Sequence, residues 1–373
     1  MTATPPPRFG IWAPVRGTFA ALDHPDEPAD ASWARNRDAV LAAERLGFDA
    51  TLIAQHTVNP LGDERGQLEA WTAAAALAAL TERIELIVAI KPLLTHPVVL
   101  AKQALQIEEI SGGRLSLNVV NAWFRPELER SGIGFPEHDE RYAYGREWLT
   151  VVEALLRGER VTFRGDHFAI DGLQLRPTSP VRERPPLYVG GESEPARALV
   201  ADLADAWFVN GQPPEDVAAL VDAVRDRPRP AGRAPLRYGM PAFVIARPTE
   251  VEALADLALQ WELDAAHAEV RERMLANTDS AAQMFESFKT TARIGTNGGT
   301  AAGLVGDYDT VADRIAAFSA LGIETFMLQF QPLVPEMERF MAEVAPRVRT
   351  RLLRATRPGG HGTRRSDPGG AGS

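Results

Sequence analysis

Polar and aromatic side chains follow several short apolar runs of this sequence, at positions where parallel β-strands would end. Trp12 closes the first run, Gln55 and His56 follow the second, and Trp123 follows the fourth. Since the carboxyl ends of parallel strands meet at one edge or one barrel mouth, we expect these side chains to share a site. No Ser/His/Asp set, carboxylate pair or metal-ligand spacing accompanies them. A site with so few acid–base groups suits a bound cofactor that supplies the reactivity.

A glycine-rich turn lies between a later apolar run and a helical pattern. Its sequence is Gly190-Gly191-Glu192-Ser193. Free backbone N–H groups at such a helix start, together with a serine hydroxyl, can hold an anion such as phosphate. A tight turn without any ligand explains the same residues equally well, so both interpretations stay open at the level of local sequence.

A second polar segment opens another helical pattern, and it reads His138-Asp139-Glu140-Arg141-Tyr142. One interpretation is a helix start, with Asp139 as the cap and acidic residues that suit the helix dipole. The other is a phosphate site in which Arg141 and Tyr142 reach the ligand. For His56 and Trp123, too, a surface or core role remains open beside a ligand contact.

These residues need a framework that brings strand ends together, and the chain predicts an α/β fold. Runs that are apolar throughout, as expected for strands buried on both faces, alternate with helical segments. Eight such runs predict a (β/α)8 TIM barrel with insertions. A doubly wound open sheet fits less well, because no G-x-G-x-x-G follows the first run. The predicted strands are 9–13, 50–54, 84–90, 115–120, 187–189, 206–209, 241–246 and 325–330.

Two segments interrupt this alternation. Residues 161–170 predict a small hairpin that turns at Gly165 and Asp166. Residues 250–303 are too long for one crossover, and they predict a helical insertion followed by a glycine-hinged lid over 290–303. We therefore expect one barrel domain over residues 1–354 and a disordered Gly- and Arg-rich tail over 355–373.

Composition excludes several classes of function. The 373 residues carry 50 acidic and 40 basic side chains, so the formal charge is −10 and nucleic acid is not an expected partner. The absence of cysteine excludes thiolate catalysis and disulfides. No apolar run is long enough to span a membrane, and the Thr- and Pro-rich start lacks the pattern of a signal peptide. A soluble, cytoplasmic protein is the expectation.

Five motifs, in this order along the chain, resemble those of one enzyme family. They lie at 111–124 (SGGRLSLNVVNAWF), 138–142 (HDERY), 190–193 (GGES), 303–307 (GLVGD) and 322–326 (GIETF). Together they resemble the bacterial-luciferase-like, flavin-dependent monooxygenases, and within them the branch of alkanesulfonate and dimethylsulfone monooxygenases. The resemblance extends from about residue 9 to residue 349.

The resemblance implies a TIM barrel that binds FMN in its reduced form, FMNH2, delivered by a separate NAD(P)H:FMN reductase. Such enzymes use O2 to oxygenate a small molecule, in this branch usually with cleavage of a carbon–sulfur bond. They usually form homodimers or homotetramers. Matched by motif, the residues implied to contact the flavin are Gln55, His56, Asn118, Glu127, Arg141, Tyr142, Gly191, Glu192 and Ser193.

Departures from the alkanesulfonate pattern bear on the substrate. That pattern has an Arg and a His on the seventh strand, where this chain has Pro241 and Phe243, and a Tyr-Pro-His that is replaced by residues 331–333 (QPL). Loss of cationic and donor groups lowers the affinity for a charged headgroup. Residues 242–247 are similar to those of dimethylsulfone monooxygenases, so a small neutral substrate such as a dialkyl sulfone is favoured. Arg293 and Lys289 in the predicted lid keep sulfonates as an alternative.

The expected mechanism places the flavin edge against an apolar wall, with the lid excluding water. We predict His56 and Gln331 as catalytic residues that hydrogen-bond the reacting oxygen. The predicted substrate wall is lined by Trp12, Trp123, Phe243, Phe330 and, on closure, Arg293. Alternatives are a pyrimidine- or amide-type flavin monooxygenase, a deazaflavin-dependent dehydrogenase on the same fold, and a non-catalytic flavin-binding barrel.

Overall fold

Eight parallel strands form a closed barrel in the computed structural model, which describes residues 6–279 and 293–355. Each strand pairs with its neighbours in sequence, and the first strand closes on the last through pairs such as Phe9 with Phe326. This architecture confirms the predicted TIM barrel. The strands are β1 Arg8–Trp12, β2 Ala50–Ile53, β3 Glu85–Ile90, β4 Leu115–Val119, β5 Leu187–Gly190, β6 Ala206–Phe208, β7 Arg237–Phe243 and β8 Ile323–Gln329.

Helices surround the barrel because each strand is followed by an amphipathic segment whose apolar face packs on it. Their starts follow local rules, as where Asp307 accepts a hydrogen bond from the Thr310 N–H, and where Thr249 and Glu252 form a capping box. The helices are α1 Trp33–Leu46, α2 Ala70–Leu80, α3 Pro97–Ile110, α4 Arg125–Glu129, α5 His138–Leu156, α6 Glu194–Leu203, α7 Pro214–Arg225, α8 Glu250–Ala265, α9 Ala268–Ala276, α10 Tyr308–Ala320, α11 Leu333–Arg339 and α12 Ala345–Ala355.

Side chains fill the barrel interior, so the barrel is a packed core and not a channel. Tyr188 and Phe208 stack inside it with ring centroids 5.0 Å apart. Gly10 is required on β1, since a Cβ there would lie 2.6 Å from the Met327 sulfur. Below this layer the Glu85 carboxylate pairs with Arg8 at 2.6 Å and closes the amino-terminal end. The open end is therefore the carboxyl end of the strands.

Two excursions match the predicted interruptions in kind. Residues Val161–Arg164 and Ala169–Leu173 form an antiparallel hairpin. The insertion after β7 contains α8 and α9, and residues 293–303 lie over the barrel mouth as an irregular segment ending in a short 3-10 turn. The predicted tail from residue 356 onwards, the first part of the predicted lid and Lys289 lie outside the described residues. Within the described ranges, no helix is long and apolar enough to cross a membrane.

Candidate active site

A deep cleft opens at the carboxyl end of the barrel, and residues at or just beyond the ends of all eight strands line it. Its empty volume, counted out to the solvent, is about 1200 Å³. Trp12 and Trp123 form aromatic parts of the wall. Many predicted site residues meet here, as expected from their places after strands. They are Trp12, Gln55, His56, Asn118, Trp123, Tyr142, Gly191, Glu192 and Ser193.

A buried cluster of three ionisable groups stands at one side of this cleft. The Lys91 ammonium, at the end of β3, forms an ion pair with Glu127 and lies 2.8 Å from His56 Nδ1. Glu127 also accepts hydrogen bonds from the Thr57 N–H at 2.6 Å and the Thr57 hydroxyl at 3.2 Å. Lys91 and Glu127 are 3% and 1% exposed, so their charges are compensated almost entirely by each other.

This cluster determines the tautomer of His56. An ammonium group only donates, so His56 Nδ1 accepts from Lys91 and the ring hydrogen resides on Nε2. His56 lines the cleft, and its ring meets Trp123 edge-on with centroids 5.3 Å apart. The arrangement therefore presents a neutral imidazole with an N–H donor.

Burial shifts the acid–base equilibria of the cluster. Burial, followed by the positive charge of Lys91, lowers the pKa of His56 to about 4. Burial also lowers the pKa of Lys91, and the Glu127 carboxylate opposes this change. Burial acts to raise the pKa of Glu127, but its contacts with His56 and the charge of Lys91 outweigh this and hold that pKa far below its usual value. At neutral pH the cluster is an ion pair beside a neutral histidine.

Another polar end of the cleft combines the two sequence segments suspected of binding phosphate. His138 Nε2 lies 3.0 Å from the Ser193 hydroxyl, and Tyr142 and Gly191 lie beside them. Gly191 has a φ of +118°, and a Cβ there would lie 2.8 Å from the Tyr142 hydroxyl. Only glycine leaves room for a ligand to approach this backbone closely. The helix beginning after Ser193 adds unpaired backbone N–H groups.

Asp279, from the insertion, reaches into the same end of the cleft. Its carboxylate lies 2.8 Å from His138 Nδ1 and forms an ion pair with Arg141. Asp279 lines the cleft whereas Arg141 does not. The predicted flavin contact from Arg141 is therefore covered by Asp279 in this structure. Glu127, too, lies behind the cleft wall, where it contacts Lys91 and His56 and not the open space.

Two buried polar atoms at the cleft have no protein partner in the described part of the chain. These are Trp12 Nε1, a donor, and Asn118 Oδ1, an acceptor. An unpaired buried polar atom is costly, so a cleft that leaves a donor and an acceptor free fits a ring with polar edges, such as a flavin. Glu192 instead uses its carboxylate to accept from the Asn210 N–H at 2.7 Å, and burial raises its pKa. Its role is to fix the loop after β6.

A second cavity of about 690 Å³ adjoins the cleft and shares Arg16, Phe19, Trp123 and Thr296 with it. Arg16 has no carboxylate partner among residues 6–279 and 293–355, and burial lowers its pKa to about 10. Arg293 lines this cavity, with its buried Nε and Nη1 atoms unpaired. The predicted substrate residue Arg293 thus faces the side cavity, together with an arginine that the sequence analysis did not select.

Three predicted site residues lie elsewhere. Phe243 packs against Ile245, Ala253, Leu257 and Ile294 beneath the insertion, because the segment around Gly295 covers it. Phe330 points outward and packs against Phe48 and Phe340. The Gln331 amide is occupied within the first loop, accepting from the Ala21 N–H at 3.1 Å and donating to the Ala21 carbonyl at 2.8 Å. None of these three residues lines the cleft, so the predictions of a substrate wall at Phe243 and Phe330 and of a catalytic Gln331 find no support in the described structure.

Three residues that organise the site were not predicted from the sequence. Lys91 follows β3 directly, and a lone lysine after an apolar run was a usable signal. The Gln329 side-chain amide holds the lid segment through two hydrogen bonds to the Thr296 backbone, accepting from its N–H at 2.9 Å and donating to its carbonyl at 3.0 Å. Asp279 carries no such signal, because it comes from the insertion, 141 residues beyond His138.

Comparison with known proteins agrees with this architecture. The family model described as luciferase-like monooxygenase matches residues 8–325. A curated relative, the FMNH2-dependent dimethylsulfone monooxygenase of Pseudomonas putida, is 30% identical over 351 residues, which cover 92% of this chain and 96% of the relative.

Solved structures share the fold. A riboflavin lyase determined with modified FMN and riboflavin has a TM-score of 0.75 at 21% identity, covering 93% of this chain and 92% of its own. DmoA from Hyphomicrobium sulfonivorans has a TM-score of 0.73 at 18% identity, covering 93% and 89%. The extent of the family match and the identity to the curated relative confirm the resemblance read from the five motifs, and this chain belongs to the luciferase-like monooxygenase family.

Proposed function

We propose that this protein is the oxygenase component of a two-component system that uses FMNH2 and O2 to cleave a C–S bond in a small dialkyl sulfone. The observation that carries the proposal is the similarity, along nearly the whole chain, to an FMNH2-dependent dimethylsulfone monooxygenase. The cleft supports it, because aromatic walls and unpaired polar atoms suit a flavin with a small apolar substrate beside it.

The flavin would lie along the cleft between its two polar ends. Asn118 and Trp12 would hydrogen-bond the ring system through the atoms that lack protein partners. Ser193, Tyr142 and the backbone at Gly191 would hold the phosphate. When bound, reduced FMN activates O2 and supplies one oxygen atom to the substrate.

The chain itself positions groups and excludes water. His56 would donate its Nε2–H to the reacting oxygen, with Lys91 and Glu127 holding the imidazole neutral and oriented. Trp123 packs against His56 and shields this contact from solvent. The segment at Thr296, clamped by Gln329, covers the mouth from the other side. A dry site of this kind keeps activated oxygen from being lost to water.

The reaction we propose balances as follows. One dimethyl sulfone, one O2 and one FMNH2 give methanesulfinic acid, formaldehyde, FMN and water. Oxygen enters at carbon, the C–S bond breaks, and the sulfur leaves as sulfinate. Nothing in this step requires an ionic anchor for the sulfone, which suits a cleft wall of aromatic and apolar side chains such as Leu52, Ala89 and Met327.

Alkanesulfonates are the second candidate substrates, and the side cavity favours them. Arg16 and Arg293, at the boundary of the cleft and within the side cavity, are guanidinium groups that form no ion pair with a carboxylate of the described residues. Such groups could neutralise a sulfonate placed across that boundary. Lys289 was an expected contributor and lies outside the described residues.

The test is aerobic turnover with FMN, a flavin reductase, NADH and catalase, with each substrate offered separately. Dimethyl sulfone should give methanesulfinate and formaldehyde in equal amounts, measured by mass spectrometry. Sulfite from methanesulfonate alone would favour the second candidate. Product from neither substrate, despite FMN binding, would refute the organosulfur assignment. Turnover without O2 would instead favour a deazaflavin-type hydride transfer. Asn118→Leu should lose product formation, whereas Gln106→Leu, at an exposed position on α3, should keep it.

The proposal includes the partners that the chemistry requires. An NAD(P)H:FMN reductase would supply reduced flavin, and the cytoplasm is the compartment in which NAD(P)H is available for it. We also propose a homodimer or homotetramer, following the family pattern. Size-exclusion chromatography with light scattering tests the assembly, and a dominant monomer would contradict it.

A further inference from the structure

The carboxylate of Asp279 occupies the end of the cleft where the flavin phosphate would be held. It is 8% exposed and contacts both His138, at 2.8 Å, and the Arg141 guanidinium. Arg141 is 2% exposed, and its guanidinium also donates to the Pro136 carbonyl at 2.6 Å and lies 3.3 Å from His138 Nδ1. Its Nε atom is buried without a protein partner in the described chain. The guanidinium is thus largely satisfied from inside the protein by an acidic side chain.

A phosphate bound at Ser193 and Tyr142 would meet this carboxylate. A phosphate ester carries up to two negative charges, and Asp279 adds a third beside one arginine and one histidine. Two anions in a buried space repel one another unless enough cations separate them. Replacing the carboxylate by the phosphate, in contrast, leaves Arg141 and His138 to face the new anion.

In the described part of the insertion, a short stretch of backbone contacts joins Asp279 and the residues before it to the segment after β4. Its N–H donates to the Trp123 carbonyl at 2.8 Å, and the Asn277 carbonyl accepts from the Arg125 N–H at 3.1 Å. A single bridge joins Phe124 and Thr278. Displacing Asp279 therefore involves breaking this short stretch of backbone contacts.

We propose that Asp279 is an internal competitor of the flavin phosphate. Its carboxylate takes the place of the phosphate beside Arg141 and His138 when no flavin is bound, and it leaves when FMN enters. This inference rests on the proposed function, since it takes FMN as the ligand of the cleft. The competitor lowers the affinity for FMN specifically through its phosphate. An oxygenase that receives reduced flavin from another protein and must release the oxidised product gains faster release from such a group.

The test compares FMN with riboflavin, which has the same ring system without phosphate. Oxidised flavins are titrated into the full-length protein and followed by quenching of flavin fluorescence. Asp279→Asn keeps the size of the side chain and removes its charge, and Asp279→Ala removes both. Asp256→Asn is the matched control, because Asp256 is another carboxylate of the insertion paired with an arginine, Arg247, and does not line the cleft.

We expect Asp279→Asn to lower the Kd for FMN about tenfold and to change that for riboflavin less than about twofold. Added FMN should raise the melting temperature of Asp279→Ala more than that of the unaltered protein, because Arg141, without the Asp279 carboxylate, then depends on the phosphate. Inorganic phosphate should compete with FMN more strongly in both variants than in the Asp256→Asn control.

The opposite result is equally clear. If Asp279 orients Arg141 and His138 towards the phosphate, both variants will bind FMN more weakly while riboflavin is unaffected, and the inference is overturned. No change in the FMN-to-riboflavin ratio overturns it as well. If neither the unaltered protein nor Asp279→Asn prefers FMN to riboflavin, the phosphate site of the proposed function fails together with the inference.

Discussion

Replacing Lys91 by methionine tests how the buried cluster controls His56. Methionine keeps most of the length and apolar volume of the side chain and removes the ammonium that lies 2.8 Å from His56 Nδ1. Glu127 Oε2, 3.4 Å from the same nitrogen, then becomes its nearest ionic partner. The imidazole should therefore turn its hydrogen to Nδ1 to donate to Glu127, which leaves Nε2 bare towards the cleft.

The size of the expected change in the acid–base behaviour of His56 follows from its pKa in the unaltered protein. Its decrease from 6.5 to about 4 means that the pocket disfavours the imidazolium by roughly 3 kcal/mol. Without Lys91 the second cause of that decrease disappears and Glu127 stabilises the charged ring, so the pKa of His56 should rise. Removing one partner of a buried ion pair should also cost about 3 kcal/mol of unfolding free energy.

Two assays measure these effects. Histidine-selective ¹⁵N NMR, with the His56 signals identified by their loss in His56→Gln, reports both the tautomer and the pKa. Sulfone turnover reports the function, and the Lys91→Met rate should fall on the order of 10²-fold at pH 8 because a preorganised donor is lost. The rate should recover as the pH falls through the new pKa, where the imidazolium again carries a proton on Nε2. Lys102→Met, an exposed lysine on α3, is the control.

Either of two results would refute this reasoning. A hydrogen on Nδ1 of His56 in the unaltered protein would mean that Lys91 does not fix the tautomer. A His56 that titrates near pH 6.5 in the unaltered protein would mean that burial and Lys91 do not suppress its charge.

Three further predictions follow from the same contacts. His56→Gln should remove a pH dependence of stability. The pKa of His56 is lowered in the folded protein, so protons bind the unfolded chain preferentially as the pH falls below 6.5. Between pH 7.5 and 5.5 the unaltered protein should therefore lose about 1.3 kcal/mol more unfolding free energy than the variant, measured by urea titration. Gly191→Ala should raise the Kd for FMN about tenfold or more, because it adds a Cβ 2.8 Å from the Tyr142 hydroxyl at a φ of +118°, and an unchanged Kd in fluorescence titrations would contradict it. Arg16→Gln should raise the KM for methanesulfonate about tenfold and leave that for dimethyl sulfone unchanged, and equal effects on both in steady-state assays would exclude a sulfonate contact.

The barrel could be predicted because its strands are buried on both faces and therefore stand out as apolar runs. The strands β2, β4, β5 and β6 begin at the predicted residues 50, 115, 187 and 206. Strand β7 was misplaced, since it begins at Arg237, four residues before the predicted start, and contains Gly239 and Pro241. Glycine and proline weaken the local signal for a strand, and only the pairing of β7 with β8 makes the strand continuous.

The site was predictable where a strand end alone places a residue in the mouth, as for His56 and Asn118. It was not predictable where the direction of a side chain decides its surroundings. Phe330 was predicted as the last residue of its strand, but it lies one residue beyond β8 and packs in the helical layer. The surroundings of the Gln331 side chain are determined by hydrogen bonds with a loop more than 300 residues earlier in the chain. Contacts of this range arise from tertiary packing, which a local pattern does not contain.

The closure of β1 on β8 has a consequence for synthesis and folding. Phe9 meets Phe326 and Ile11 meets Leu328, so the barrel cannot close until more than 320 residues have left the ribosome. Until then β1 and the most recently made strand both present unpaired edges, which are sites for pairing with other chains. Contacts this distant in sequence also slow folding. A chain that ends before β8 should therefore aggregate, and β8 supplied as part of a separate fragment should reduce that aggregation.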